Sequence, residues 1–257
     1  MKQIFIIVSI ILFTLSMYAQ NKPIHTLDAT LGYNHGYFKD LNYSPLNYTT
    51  NGGIINFDYQ RRNIKKGHLL NVGLDFNANQ ISSDVATYYR ANYLIANINL
   101  SYLKRVTSIK NNFLLYVGGQ YHTNLNFVLF SGTEAFSFLF AHSLDLSIYG
   151  EFAIKNKHHI NTRISLPVIT QLVRPPHAGF DKEVIEKQSQ PLRFVFDGSP
   201  TFVNNYTAFF WSNEYHYNLN TKWDFVAQYD LIYQSTPIVK QSKTLNNQIQ
   251  FGVTYKF

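Results

Sequence analysis

Carboxylates recur along the chain on the polar face of segments whose opposite face is apolar. In one such segment Asp145 and Glu151 share a face with Ser147, while Leu144 and Leu146 fall on the other, because successive side chains of an extended strand point to opposite sides. The same parity places the following ionisable residues on polar faces: Asp28, Asp58, Asp75, Asp145, Glu151, Glu214, Asp224 and Asp230, with Arg163, His216 and Lys256 among them. Such a set could form a cation-attracting passage or a carboxylate-based active site.

A polar network that fills a narrow interior is the alternative interpretation, and we favour it because buried charges must be paired or solvated. Glu151 and Arg163 lie at similar depth on segments joined by the tight link near 154–157, so we expect them to pair. Lys256 can offset nearby carboxylates. The network that we predict consists of Asp75, Asp145, Glu151, Arg163, Glu214, His216, Asp230 and Lys256.

A serine hydrolase is not favoured by the spacing of the candidate nucleophile and base. His142 and Ser143 are adjacent, so their side chains point to opposite faces and cannot form the required contact directly. A contact between His122 and Ser143 on neighbouring strands, with Asp145 nearby, stays open, although we expect the register to hold the pair apart. His142 is predicted to face outward near one end of its strand. We predict no catalytic residue.

No cofactor or metal site is predicted either. His158 and His159 adjoin a turn and face opposite ways, which makes a poor metal site. The chain has no cysteine, so it has neither disulfides nor thiolate metal ligands. Its formal charge of +7 comes from scattered Lys and Arg without a basic helix or an aromatic RNA-binding motif, and nucleic acid is not an expected partner.

About ten alternating segments must position these residues. Most are close to the roughly 9 to 11 residues that a tilted strand needs to cross a bilayer, and longer than the usual strand of about 5 to 6 residues. They run near 26–36, 53–62, 68–79, 91–104, 112–123, 139–153, 158–172, 207–217, 222–234 and 246–257. We predict an all-β fold: an antiparallel up-and-down transmembrane β-barrel of about ten strands.

The connections alternate between short and long. Short links are predicted near 63–67, 105–111, 154–157 and 218–221, and longer loops near 37–52, 80–90, 124–138, 173–206 and 235–245. Short periplasmic turns and long extracellular loops are typical of outer-membrane barrels. A soluble barrel shows the same alternation, but here the polar faces carry Asn, Gln, Ser, Gly and Asp, and charged residues make up only 14% of the chain against about 25% in soluble domains.

The last ten residues, from Gln248 to Phe257, alternate without a break and end on an aromatic residue. In this the chain resembles the bacterial outer-membrane β-barrel proteins, whose final strand commonly ends in Phe or Trp and is read by the barrel-assembly machinery. The resemblance implies an outer-membrane location, recognition of Phe257 by that machinery, and contact with outer-membrane lipids and lipopolysaccharide. Envelope proteins are further possible partners. The terminal strand is expected to pair with the strand near 26–36 and close the barrel.

The amino-terminal region predicts export. Met1–Gln3 is a short positive start, an apolar run follows to Leu15, and Ala19 stands at a plausible cleavage point. The run is too short for a membrane-spanning helix, which needs roughly 20 residues, so we interpret residues 1–19 as a cleavable signal peptide and 20–257 as the barrel domain. Cleavage before Gln20 and an Asn- and Tyr-rich mature chain resemble export substrates of Bacteroidota.

The long loop at 173–206 is the most informative connection, because loops of this length are usually functional or disordered. It is predicted to plug the barrel or to dock a partner, and the apolar run at 194–196 could fold inward as a lid. The residues assigned to a partner surface are Arg174, His177, Phe180, Phe194 and Phe196.

A structural or interaction role in the envelope is the function that the sequence favours, with a polar and obstructed interior. A porin-like channel for ions or small solutes is the alternative, and a lipid-acting hydrolase is favoured less. Omptin-type proteases are also ten-stranded, but they carry paired Asp residues and an Asp–His pair at the extracellular rim. This chain has no Asp-x-His or Asp-x-Asp there, so that resemblance is one of strand number alone.

Overall fold

Eleven strands run through the part of the chain that the structure describes. The computed structural model describes residues 23–85, 90–109, 113–130, 136–175 and 195–257. The strands are β1 (Ile24–Asp40), β2 (Tyr48–Asn63), β3 (His68–Ser82), β4 (Ala91–Ile109), β5 (Phe113–Phe130), β6 (Phe136–Lys155), β7 (His158–Val173), β8 (Ser199–Phe202), β9 (Thr207–Asn218), β10 (Trp223–Thr236) and β11 (Ser242–Lys256). Over these residues no helix has the length and apolar character needed to cross a membrane.

The strands form one antiparallel sheet that closes on itself. Strands β1 to β7 pair in sequence, β9 joins β7 to β10, and β11 pairs with both β10 and β1. The seam between first and last strands runs from Thr26 opposite Lys256 to Asp40 opposite Ser242. Closure removes the free edges of the ten barrel strands along most of their length, and β7 pairs with β9 as far as Ser165 opposite Phe210. The predicted ten-stranded antiparallel barrel is confirmed, and β8 is a short addition that pairs with β7.

The two ends of the barrel are named here by their connections. The turn rim is the end at which β1 begins and β11 ends, and at which β2 ends and β3 begins. The loop rim is the opposite end. Short turns lie on the periplasmic side of outer-membrane barrels. The loop predicted at 124–138 is wrong in extent, because β5 continues to Phe130 and β6 begins at Phe136.

The barrel is polar inside and apolar outside, the reverse of a soluble domain. On β11 the side chains of Ile249 and Phe251 are 54% and 53% exposed, whereas Gln248 and Gln250 are 2% and 1% exposed. The same inversion repeats around the sheet, with exposed Leu31, Ile55, Leu74, Leu100 and Leu146. An outward apolar surface of this kind needs lipid around it.

One irregularity breaks the parity of β7. Its register with β6 shifts between Leu144 and Asp145, which pair with Ile169 and Pro167 and leave Val168 as an extra residue. Above this bulge Thr170 and Leu172 face the interior, and β7 pairs there with β8 instead of β9. The bulge therefore divides the segment predicted at 158–172 into two stretches of opposite parity.

Candidate functional site

The interior near the turn rim is crossed by an ion pair. Arg62 on β2 lies 2.7 Å from Glu151 on β6, and three strands separate β2 from β6 in the sheet. The pair is surrounded by a buried cluster of Leu69, Leu103, Tyr116 and Tyr149. These contacts reach across part of the interior, from β2 to β6.

The ion pair expected between Glu151 and Arg163 is not formed. The register places Arg163 opposite Tyr149, whose ring lies 5.5 Å from the guanidinium carbon, and places Glu151 one step nearer the rim. Arg163 instead donates to Asn71 at 2.8 Å. Sequence reasoning missed Arg62 as the partner, although its parity on β2 matches that of Asp58.

A second group of polar side chains lies inside the barrel near the turn rim, on β9, β10 and β11. Lys256 lies 2.7 Å from Asp224 and donates to Asn218 at 2.8 Å. Glu214 and His216 lie 3.2 Å apart on β9. The structure thus brings Lys256 against a carboxylate on the interior face, and it places Glu214 and His216 beside each other there.

A chamber of about 110 Å³ lies in the middle of the barrel. Its acidic lining residues are Asp58, Asp75, Glu214 and Asp230, with Arg163 as the cation. Amide side chains satisfy the carboxylates: Asn97 donates to Asp75 at 2.7 Å, and Gln250 to Asp230 at 2.7 Å. Asn71 donates to Asp58. These hydrogen bonds satisfy the buried carboxylates, and the formal charge of the lining favours cations.

The Ser143 group does not form a catalytic triad. Against expectation, the register places His122 directly opposite Ser143. The serine hydroxyl, however, donates to Asp145 at 2.5 Å, and Nδ1 of His122 lies 3.9 Å from the other carboxylate oxygen. The histidine ring instead packs edge-on against Phe210, with centroids 4.4 Å apart. The serine hydroxyl is therefore hydrogen-bonded to a carboxylate, and the histidine that would act as the base of a triad is not its partner.

The interior narrows again toward the loop rim. Phe38, Tyr93 and Val128 belong to one buried cluster, and Tyr206 lies in a second on the side of β9. The cavity between them has a volume of only about 20 Å³. Tyr93 also donates to Asn126 at 3.0 Å. The space left at this level is close to that of a single water molecule.

Arg174 closes the mouth above these clusters. It follows β7, yet its guanidinium contacts Asp40 at the end of β1 and the carbonyl oxygens of Ile238 and Lys240 in the β10–β11 loop. The Arg174 side chain is 1% exposed. The prediction that Arg174 belongs to a partner surface is therefore wrong, because its charge is used to join three loops across the mouth.

The end of the long loop lies outside the barrel. Nε2 of His142 donates to the Val195 carbonyl at 2.9 Å, and the Phe196 ring stacks on the imidazole at 4.4 Å. His142 contacts Thr123, whose side chain also faces outward by its position in the strand alternation. Phe196 thus covers the outer wall and remains 46% exposed, so the inward lid predicted for 194–196 is wrong at this residue. His177, Phe180 and Phe194 lie outside the described residues.

The described part of the chain contains no group of three or more His, Cys, Asp or Glu residues arranged to hold a metal ion.

Comparisons with known proteins identify the fold. No protein-family model and no curated protein sequence matches the chain. Among solved structures, the outer membrane protease OmpT from Escherichia coli is similar at 7% identity with a TM-score of 0.52, over 93% of this chain and 98% of that one. Neisserial surface protein A matches at 11% identity and a TM-score of 0.40, over 90% and 97%. The attachment invasion locus protein Ail of Yersinia pestis matches at 8% and 0.32, over 90% and 98%.

At sequence identities this low, the similarity shows the fold alone and does not assign an activity to this chain. The geometry and the match to OmpT agree on a closed antiparallel barrel with an apolar exterior. This architecture agrees with the outer-membrane location expected from the sequence. The chain has the fold of the bacterial outer-membrane β-barrel proteins.

Proposed function

We propose that this chain is an integral outer-membrane barrel with a sealed interior, acting at its loop rim as a structural or interaction component of the cell envelope. The observation that carries the proposal is a set of side-chain contacts at two levels of the barrel. Arg62 and Glu151 join opposite walls near the turn rim, and Arg174 joins three loops at the mouth.

Both closures are costly to break, which supports a permanent seal. Separating a largely buried ion pair leaves charges without compensation, and such losses commonly amount to about 3 to 5 kcal/mol. Arg174 holds Asp40 and two carbonyl groups at once, so opening the mouth would expose several polar groups together. A conducting passage would require both sets of contacts to separate.

The exposed surface near the loop rim supports the interaction role. Phe196, Phe202 and Val203 are 46%, 61% and 52% exposed along the segment that includes β8, which pairs with the end of β7. This segment is anchored by hydrogen bonds from Gln171 to the carbonyls of Phe196 and Gly198. An anchored apolar surface of this kind is suited to a protein partner, since its shape is fixed before binding.

Site-specific photocrosslinking tests the interaction role. A photoreactive phenylalanine analogue at Phe196 is expected to crosslink to another envelope protein in intact cells. The matched control is the same analogue at Phe251, a lipid-facing aromatic on β11 that is 53% exposed. We expect adducts with protein at position 196 and with lipid alone at position 251. Identical adducts at the two positions would contradict the proposed interaction surface.

A channel for small cations is the second candidate, because the central chamber has four carboxylates and one arginine in its lining. A stable single-channel conductance of the native chain that falls in the Asp230→Asn variant would favour the channel over the sealed barrel. The seals above and below the chamber are the reason that we place the sealed barrel first.

A further inference from the structure

Three histidine–tyrosine hydrogen bonds lie at the turn rim, on the outward face of the barrel. In each one, Nδ1 of a histidine near the start of a strand contacts a tyrosine hydroxyl on the neighbouring strand. The pairs are His25–Tyr59 at 2.7 Å, His68–Tyr102 at 2.6 Å and His158–Tyr215 at 2.7 Å.

In two of these pairs, the residue directly opposite the histidine on the neighbouring strand is a cation. The register partner of His25 is Arg61, two residues from Tyr59 on β2. The register partner of His68 is Lys104, two residues from Tyr102 on β4. In the third pair this position is occupied by Tyr217.

We name the two similar groups the rim triplets: His25–Tyr59–Arg61 and His68–Tyr102–Lys104. Because their parity is shared, all six side chains face outward, where lipid surrounds the barrel.

Each rim triplet can donate hydrogen bonds to a phosphodiester. When Nδ1 of the imidazole accepts from the tyrosine hydroxyl, Nε2 carries the hydrogen and can donate outward. Arg61 or Lys104 supplies a charged donor beside it, and charged donors are the strong partners of phosphate oxygens. A cation and an imidazole on adjacent strands thus present two donors to one anionic group.

Aromatic contacts place the rim triplets at the depth of lipid headgroups. Phe257 stacks on His25 with centroids 5.6 Å apart, and the His68 and Tyr102 rings stack at 5.4 Å. Aromatic belts of outer-membrane barrels lie at the boundary between headgroups and acyl chains. A bound phosphodiester would therefore have an apolar surface next to it for the glycerol and upper acyl chain.

The charges near the rim leave these cations available for a ligand. The carboxylates at this level, Glu151 and Asp224, face the interior and are paired with Arg62 and Lys256. On the outward face of the turn rim, the described residues include no Asp or Glu. The electrostatic field outside this rim is therefore positive and complementary to anionic headgroups.

We propose that the rim triplets are two binding sites for anionic phospholipids of the periplasmic leaflet, with one headgroup phosphodiester at each. The proposal rests on the outer-membrane location that we propose for this chain, and on the assignment of the turn rim to the periplasm.

Native mass spectrometry of the full chain in mild detergent tests the sites, with phosphatidylglycerol as the probe and phosphatidylcholine as the zwitterionic comparison. The test variant combines Arg61→Gln and Lys104→Gln. The matched control combines Lys39→Gln and Lys243→Gln, which removes the same charge from two register partners at the loop rim. Heat-modifiable gel mobility and vesicle insertion verify that every variant forms the barrel.

We expect the native chain and the control to retain two molecules of phosphatidylglycerol in preference to phosphatidylcholine. The test variant is expected to bind phosphatidylglycerol about fivefold more weakly at each site, the contribution of one cation near anionic lipid.

Equal retention by the two double variants would overturn the proposal, as would equal retention of the two lipids by the native chain. Displacement of phosphatidylglycerol by inorganic phosphate at low millimolar concentration would mean a general anion site and would overturn the lipid assignment. A native chain that fails to insert into vesicles would instead contradict the membrane location.

Discussion

At the scale of single residues, the interior depends on a few long side chains that reach across the barrel. Parity predicted which residues face inward, and the structure places Glu151, Asp230 and Lys256 there. Parity could not predict the partner of Glu151, because a strand pattern contains no information on how far a side chain extends across a cavity. Arg174 was assigned to a partner surface and Arg62 was not recognised as the partner of Glu151, yet both side chains are largely buried.

Replacing Glu151 by Gln tests the ion pair near the turn rim. The change leaves Arg62 without its compensating charge in a mostly buried setting, and we expect the free energy of unfolding to fall by about 2 kcal/mol. Urea titration of the barrel in lipid vesicles, followed by tryptophan fluorescence, measures the change.

The matched control for this substitution is Lys39→Gln, which removes a cation from the outward face near the loop rim, opposite Lys243 in the register. It is expected to change stability by less than about 0.5 kcal/mol. A loss of stability for Glu151→Gln no larger than that of the control would contradict a structural role for the pair.

At the scale of elements, the alternation of residue types predicted the strands well and their ends less well. The region near 124–138 was predicted as a loop, but Asn124 and Asn126 are buried and hydrogen-bonded to each other inside the barrel. A polar interior makes Asn a strand residue, contrary to its usual preference for turns. The bulge at Val168 was also missed, since one extra residue leaves no signature in composition.

The sequence predicts that the terminal strand carries an assembly signal, and the Phe257→Ala substitution tests this prediction. The Phe257 ring is 62% exposed and stacks on His25 and Tyr255, so it contributes little to a buried core. We expect the amount of assembled barrel in the outer membrane to fall severalfold. Stability after refolding from urea is expected to change by less than about 1 kcal/mol.

Phe251→Ala is the control, because it removes an exposed aromatic from the same face of the same strand. Quantitative immunoblotting of heat-modifiable protein in outer-membrane fractions compares the two variants. Equal losses of assembled protein would argue against a special role for the terminal residue.

At the scale of the whole molecule, the fold and the proposed seal rest on different kinds of contact. Closure of the barrel follows from the pairing of β1 with β11 and from strand lengths that the sequence makes visible. The proposed seal rests on contacts among residues far apart in the chain, such as Arg174 with Asp40 and Arg62 with Glu151. The central chamber lies between these two sets of contacts.

Planar-bilayer recording of the purified native chain tests the sealed barrel most directly. Because contacts close the interior near both rims, we expect no stable unitary conductance across the ordinary range of applied voltages. A porin of known conductance, inserted into the same bilayers, verifies that pores are detected. Reproducible unitary steps from the native chain, reduced by Asp230→Asn, would contradict the seal and would favour a cation channel.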